Sequence, residues 1–337
     1  MWQLYTILFY FTMILGSLVA ITSSSWMFIW MGLEINLLTF MPIMKFKNNK
    51  QSSEATIKYF LIQAIASMIF LFGSIYSSLF FSYNNYLIEM SSSFMICMAL
   101  VLKIGMAPFH FWLPEVCSGS SWKINFIILT WQKLAPMIIM FNSLSNLTLF
   151  TVIIMTSSLV SSLQGLNQTC LRKILAYSSI SHSSWMITAM LNSVSLWFTY
   201  FFIYSMINSI LIYTMNKYNI NNIKQMQKMM SFNKTMKFTF MLNFMNLGGL
   251  PPFLGFFPKW VTVIDMTNNK MYFLAIILII FTLITLYFYI RISMSSFSMN
   301  SEESIIQMLK KSNYFNMTTN SLVIFSLISC SFYTNFL

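Results

Sequence analysis

The chain of 337 residues is 57% hydrophobic and 18% aromatic but only 8% charged; soluble chains carry about 25% charged residues, so a soluble globular protein is excluded. Its formal net charge is +12, but the basic residues lie between apolar segments, which excludes nucleic-acid binding and points to loops at a membrane surface. The segments are continuously apolar over about 20 residues, enough to cross about 30 Å of hydrocarbon, and this excludes a transmembrane barrel built from alternating strands.

In chain order the apolar runs predict about eleven membrane helices, over 2–22, 26–44, 57–80, 91–112, 123–142, 148–166, 172–191, 193–215, 236–266, 271–291 and 319–336. The expected fold is therefore an all-α polytopic membrane protein, one transmembrane domain over 1–337 with no second domain outside the bilayer. Alternating the loops between faces puts fifteen of the 19 Lys and Arg residues on one side. Lys270 falls alone on the other, and Lys103, Lys133 and Lys259 fall inside spans. By the positive-inside rule the N-terminus and the basic loops face the cytoplasm or a mitochondrial matrix, and an odd helix count sends the C-terminus across. Met1-Trp2-Gln3 runs straight into apolar sequence, so insertion without removal of a presequence is expected. The counts of 34 Phe and 30 Met suit an AT-rich gene of the mitochondrial kind. Cys97, Cys117, Cys170 and Cys330 match no metal or disulfide spacing and are read as packing residues.

The first ten spans divide into two groups of five, over 2–142 and 148–291, with 319–336 as an added C-terminal helix. The fourth member of each group is interrupted. One carries Lys103-Ile104-Gly105-Met106-Ala107-Pro108-Phe109, the other Gly248-Gly249-Leu250-Pro251-Pro252-Phe253 with Gly255 and Pro258 beyond. Proline removes a backbone donor and clashes with the preceding turn, so Pro108, Pro251 and Pro252 should break their helices near mid-membrane. Five crossings are an odd number, which gives the second group inverted topology. Paired broken helices in inverted halves point to an ion or substrate path at the midplane; two unrelated kinks are the plainer alternative.

Glu34, Lys103, Lys133 and Lys259 also lie within spans, where each charge costs about 2.5 to 3.5 kcal/mol. A proton relay explains them: a buried lysine is loaded or unloaded by modest changes around it, and Glu34 is the mid-span carboxylate able to pair with Lys103. The alternative is a static buried ion pair with snorkelling lysines. His182, among Ser178, Ser179, Ser181, Ser183 and Ser184, is a further relay candidate with hydroxyls able to hold water around it. His110 and Glu115 fall near the basic-loop face, as interfacial anchors or as a point of proton uptake. The sequence has no GxGxxG, Walker, cysteine-cluster or haem-ligand pattern, so no redox cofactor and no metal is expected in this chain.

Three stretches taken in order, Trp30-Met31-Gly32-Leu33-Glu34-Ile35-Asn36, Lys103 through Glu115 and Thr130-Trp131-Gln132-Lys133-Leu134-Ala135-Pro136, together with Gly165 to Thr169, Arg172 to His182 and Gly248 to Trp260, carry a family resemblance. The chain resembles, over nearly its whole length, the subunit 2 family of animal mitochondrial NADH dehydrogenase, respiratory complex I, and insect members in particular. The resemblance implies an antiporter-like subunit with two inverted five-helix repeats. In it Glu34 would pair with Lys103, and Lys133 and Lys259 would continue a hydrophilic axis. NADH, FMN, iron–sulfur clusters and ubiquinone would be handled elsewhere in the complex. The implied partners are other membrane-arm subunits, including the subunit 4 and subunit 4L neighbours, with accessory subunits and membrane lipids. The implied location is the mitochondrial inner membrane. A stand-alone cation/proton antiporter, which the residues alone would put first, and a structural spacer without pumping are the competing readings.

Overall fold

The computed structural model describes residues 4–45, 50–79, 86–143, 146–230, 234–251 and 253–297. Among them the ordered elements are helices, with a single isolated bridge between Cys170 and Asn222. Lipid accounts for this, because a spanning segment must satisfy every backbone group internally. The C-terminal span expected over 319–336, Pro252 and Cys330 lie outside the described residues.

The chain divides into two compact units, Met1–Ser157 and Ser158–Leu337. The first holds α1 (Leu4–Thr22), α2 (Trp26–Met44), α3 (Lys50–Leu79), α4 (Tyr86–Ile104), α5 (Trp112–Gly119), α6 (Trp122–Leu129) and α7 (Trp131–Phe141). The division falls within α8 (Leu147–Leu166). The second unit continues with α9 (Leu171–Asn192), α10 (Val194–Tyr218), α11 (Ile223–Met230), α12 (Lys234–Gly248), α13 (Phe256–Asn268) and α14 (Tyr272–Phe297).

Seven of the expected spans appear among the described residues as helices, or in one case a helix pair, long and apolar enough to cross a bilayer: α1, α2, α3, α6 with α7, α8, α10 and α14. Of the other three that fall within the described residues, two are interrupted and one is whole. The span expected over 91–112 ends at Ile104 and resumes as α5, because Gly105 takes the left-handed conformation at φ +79°. The span expected over 236–266 is likewise two helices, α12 and α13, parted by Gly249 at φ +75°. The span over 172–191 is one continuous helix, α9, whose serines keep its hydropathy low. Those serines are affordable in a core because Ser178, Ser179, Ser181, Ser183 and Ser184 each donate to a carbonyl one turn back in the same helix. Nearly every α9 residue from Leu171 to Met190 is buried, which makes it the central helix of the second unit, packed on α10, α13 and α14.

In the first unit α1 and α2 cross where Gly16 and Gly32 face each other. A Cβ on Gly32 would stand 2.6 Å from the Ala20 nitrogen and 2.8 Å from the Gly16 oxygen, both backbone atoms that cannot swing aside. Small residues permit this approach, and packing at close range replaces the hydrophobic drive that lipid does not supply. Gly32→Leu should therefore part α1 from α2 and destabilise the unit by about 1 to 3 kcal/mol. Heating native membranes and following loss of the folded chain on a native gel checks this; an unchanged melting profile would refute it.

Candidate functional site

The site is built from what a broken helix leaves behind. At the end of α4 the Gly105 N–H reaches the Val101 and Leu102 carbonyls at 3.0 and 3.2 Å, and Met106 N–H reaches Val101 O at 3.2 Å. This is a Schellman closure, which needs a left-handed residue and finds one in glycine. Side chains also reach the carbonyls at this helix end. The Trp112 indole Nε1 donates to Leu102 O at 3.2 Å, and Gln63 Nε2, from α3, donates to Lys103 O at 3.2 Å. An unmet carbonyl in this setting would cost about 1 to 3 kcal/mol.

Around this break lies a small cavity lined by Lys103, Lys133, Asn36, Gln132, Tyr59, Gln63 and Trp112, with apolar neighbours including Leu33, Leu37 and Ile104. Its volume, about 20 Å³ for the centre of a water molecule, exceeds the roughly 10 to 15 Å³ that one water needs. Lys103 is 6% exposed and Lys133 2%. Asn36 Oδ1 accepts from Gln132 Nε2 at 3.0 Å, tying α2 to α7 beside the two lysines. Glu34 is half-buried on α2 and does not line the cavity. No contact ion pair joins it to Lys103 among the described residues. The ion pair seen among the described residues is Lys58 with Glu115 at 2.6 Å, both half exposed.

The second unit repeats the closure. Gly249 N–H reaches Met245 O and Asn246 O at 3.1 Å each, and Leu250 N–H reaches Met245 O at 3.4 Å. Here the released end is met by the lysine itself: Lys259 Nζ, on α13, donates to Gly248 O at 3.0 Å. A cation at a helix C-terminus also answers the partial negative charge there. Asn246 Oδ1 accepts from Gly255 N–H at 2.8 Å. A Cβ on Gly255 would lie 1.8 Å from Asn246 O, so only glycine fits. Pro251 lies in the turn after α12, and Pro258 falls in the first turn of α13, where proline is tolerated.

His182 is buried on α9 with its Nδ1 3.0 Å from the Tyr200 hydroxyl and its ring 5.1 Å from that of Tyr204. Its Nδ1 meets a tyrosine, and the neighbouring serines donate to carbonyls of their own helix. His110 is buried beside the first break, with Nδ1 3.3 Å from Pro108 O.

Of the sequence candidates, the structure brings Lys103 and Lys133 to one cavity, puts Lys259 at the second break, and leaves Glu34 outside direct contact. The sequence motifs include Asn36, Gln132 and Trp112 without giving them a role in the site, and they do not include Gln63 or Tyr59. Amides within apolar spans were the available signal for Asn36, Gln63 and Gln132.

The family profile NADH:quinone oxidoreductase/Mrp antiporter, TM, matches residues 23–285. Among curated proteins the chain is similar to NADH-ubiquinone oxidoreductase chain 2 of Anopheles gambiae, 44% identical over 96% of this chain and 94% of the relative. It is also similar to the protein of the same name from Locusta migratoria, 41% identical over 96% and 93%. Among solved structures it resembles a chain of respiratory complex I from Thermus thermophilus with bound aureothin, at TM-score 0.85 and 20% identity, over 97% of this chain and 78% of that one. A chain of the Mrp complex from Dietzia sp. DQ12-45-1b gives TM-score 0.73 at 14% identity, over 87% and 60%. These structural likenesses concern the fold.

Gln63→Leu should leave Lys103 O without its donor and lower stability by about 1 to 3 kcal/mol. Thermal inactivation of the assembled protein, compared with that of an exposed α3 control such as Ile57→Leu, measures this; equal profiles would show that the Gln63 bond contributes nothing.

Proposed function

We propose, on the premise that this chain belongs to the NADH:quinone oxidoreductase/Mrp antiporter family of membrane subunits, that Lys103, Lys133 and Lys259 carry the proton through it. The chain is a proton-translocating membrane-arm subunit of an NADH:ubiquinone oxidoreductase, and other membrane subunits of that complex are its partners. One observation supports the lysine assignment above the rest: Lys103 and Lys133, from different helices, line one cavity with room for a water.

Two ammonium groups on so small a cavity repel each other, so adding a second proton costs more than adding the first. A proton reaching Lys103 therefore favours release from Lys133, and a water in the cavity can pass it between the amines. Glu34, acting at a distance, biases which lysine holds the charge. Its half-exposure lets a neighbouring event alter that bias without breaking a bond. Lys259 is the onward acceptor, its ammonium oriented by Gly248 O. His182, bonded to Tyr200, is a further relay group in this reading.

Electron transfer from NADH through FMN and iron–sulfur clusters to ubiquinone takes place, on this proposal, in other subunits, in keeping with the absence of their binding motifs from this sequence. The same proposal has subunit 4, subunit 4L and accessory subunits as neighbours. It puts the chain in the mitochondrial inner membrane with N-terminus and basic loops toward the matrix and C-terminus toward the intermembrane space. The one-sided basic loops and the insect relatives support it.

Lys103→Met and Lys133→Met, each in an assembled complex, should lower NADH-driven proton translocation by about tenfold or more, the scale of losing a positioned proton-transfer group. Proton release per NADH oxidised, measured in sealed vesicles, is the check. A spacer role predicts unchanged stoichiometry, and that result would sink the assignment.

A further inference from the structure

The cavity of Lys103 and Lys133 has an outer side, and two helices define it in layers. α3 and α5 run side by side in opposite directions. At the outermost layer Gly119 sits so close to α3 that a Cβ would lie 2.7 Å from Gln51 O and 2.9 Å from the Ala55 Cβ. Next inward, Lys58 Nζ meets Glu115 Oε2 at 2.6 Å. Then Tyr59 and Trp112 meet edge to face, ring centroids 5.8 Å apart at 64°. Innermost, Gln63 bonds Lys103 O and the Trp112 indole bonds Leu102 O.

Exposure falls abruptly across these layers. The Lys58 and Glu115 side chains are 50% and 53% exposed, whereas Tyr59 and Trp112 are 3% and 5% exposed and themselves line the cavity. The aromatic pair is therefore the wall between an exposed ion pair and the buried lysines, and the ion pair holds the helices that carry the wall. Trp112 and Glu115 are one turn apart on α5, Lys58 and Tyr59 adjacent on α3. Whatever lets α5 move from α3 also draws Trp112 away from Tyr59. Such a latch opens readily, since half-exposed ion pairs hold only weakly. Lys58 also has a second carboxylate acting on it, Glu54, one turn earlier on α3. Opening the latch therefore need not strand the ammonium.

We propose that Lys58 and Glu115 form the outer gate of the Lys103–Lys133 cavity, controlling proton uptake by holding Trp112 against Tyr59. The gate rests on the reading of that cavity as a proton site. Lys58 and Glu115 are positioning residues, since they act through the aromatic pair.

The test uses the assembled complex in its own membrane, with Glu115→Gln, Lys58→Gln and the exchanged pair Lys58→Glu with Glu115→Lys. Hydroxyl-radical footprinting read by mass spectrometry reports water access to Tyr59 and Trp112, with buried Trp197 of the second unit as reference. Each single variant should raise oxidation of Trp112 severalfold, leave Trp197 unchanged, and lower the protons translocated per NADH. The exchanged pair should restore both. An unchanged Trp112 footprint overturns the proposal, as does a rise that the exchanged pair fails to reverse or that Trp197 shares. A raised footprint with native proton stoichiometry overturns it too. If the single variants do not assemble, a zero-length carbodiimide can join the native Glu115 carboxyl to the Lys58 amine as an amide. Lys58→Arg, which keeps the charge and does not couple, is the control. The joined complex should lose proton translocation severalfold while the control keeps it, and equal rates would overturn the gate. Failure of the relay itself is separable: Lys103→Met should lower translocation by about tenfold or more yet leave the Trp112 footprint at its native level.

Discussion

Hydrocarbon offers no hydrogen bonds, so a helix that stops partway across a bilayer must find partners for the carbonyls it releases. That requirement organises both units. In the first, α4 stops at Ile104, and the carbonyls it frees recruit an amide from α3 and the indole that opens α5. Those two bonds fix where α3 and α5 stand beside the break, and their side chains then enclose Lys103. In the second, the Lys259 ammonium closes the equivalent end. The buried lysines at both breaks are placed by the same constraint that any interrupted membrane helix must meet.

The two breaks share a backbone solution and differ in what completes it. Gly105 and Gly249 both adopt φ near +75 to +79°, with the same pattern of N–H groups folding back. Uncharged side chains do the capping in the first unit, leaving the Lys103 ammonium to face a cavity shared with Lys133. In the second the cation is itself the cap, and the contact of Gly255 with Asn246 fixes the chain that delivers it. One lysine is given room and the other a fixed berth.

Much of this was legible in the sequence because charge in an apolar run is conspicuous. Lys103, Lys133 and Lys259 announce themselves, and the glycine–proline runs announce the breaks. Break positions were less legible: Met106, Phe109, Phe111 and Trp112 are apolar, so hydropathy runs on past the left-handed Gly105 that ends α4. The amides were harder, since Asn36, Gln63 and Gln132 carry no charge and their partners come from other helices. The relation of Glu34 to Lys103 is a matter of distance, which spacing along separate helices does not encode. Likewise Glu115 is visible as a carboxylate near the basic-loop face, but its partner Lys58 lies on α3, in a layer that only the packing of α5 creates.

The bond from Lys259 to Gly248 O has one more implication. An ammonium has three N–H groups, and after losing a proton the neutral amine retains two. The carbonyl can therefore keep its donor whether the nitrogen is charged or neutral, so a discharge at Lys259 does not have to loosen the end of α12. Proton occupancy and structural support reside on the same atom yet are separable, so under the proposed relay the fold around this lysine can stay still as its charge changes.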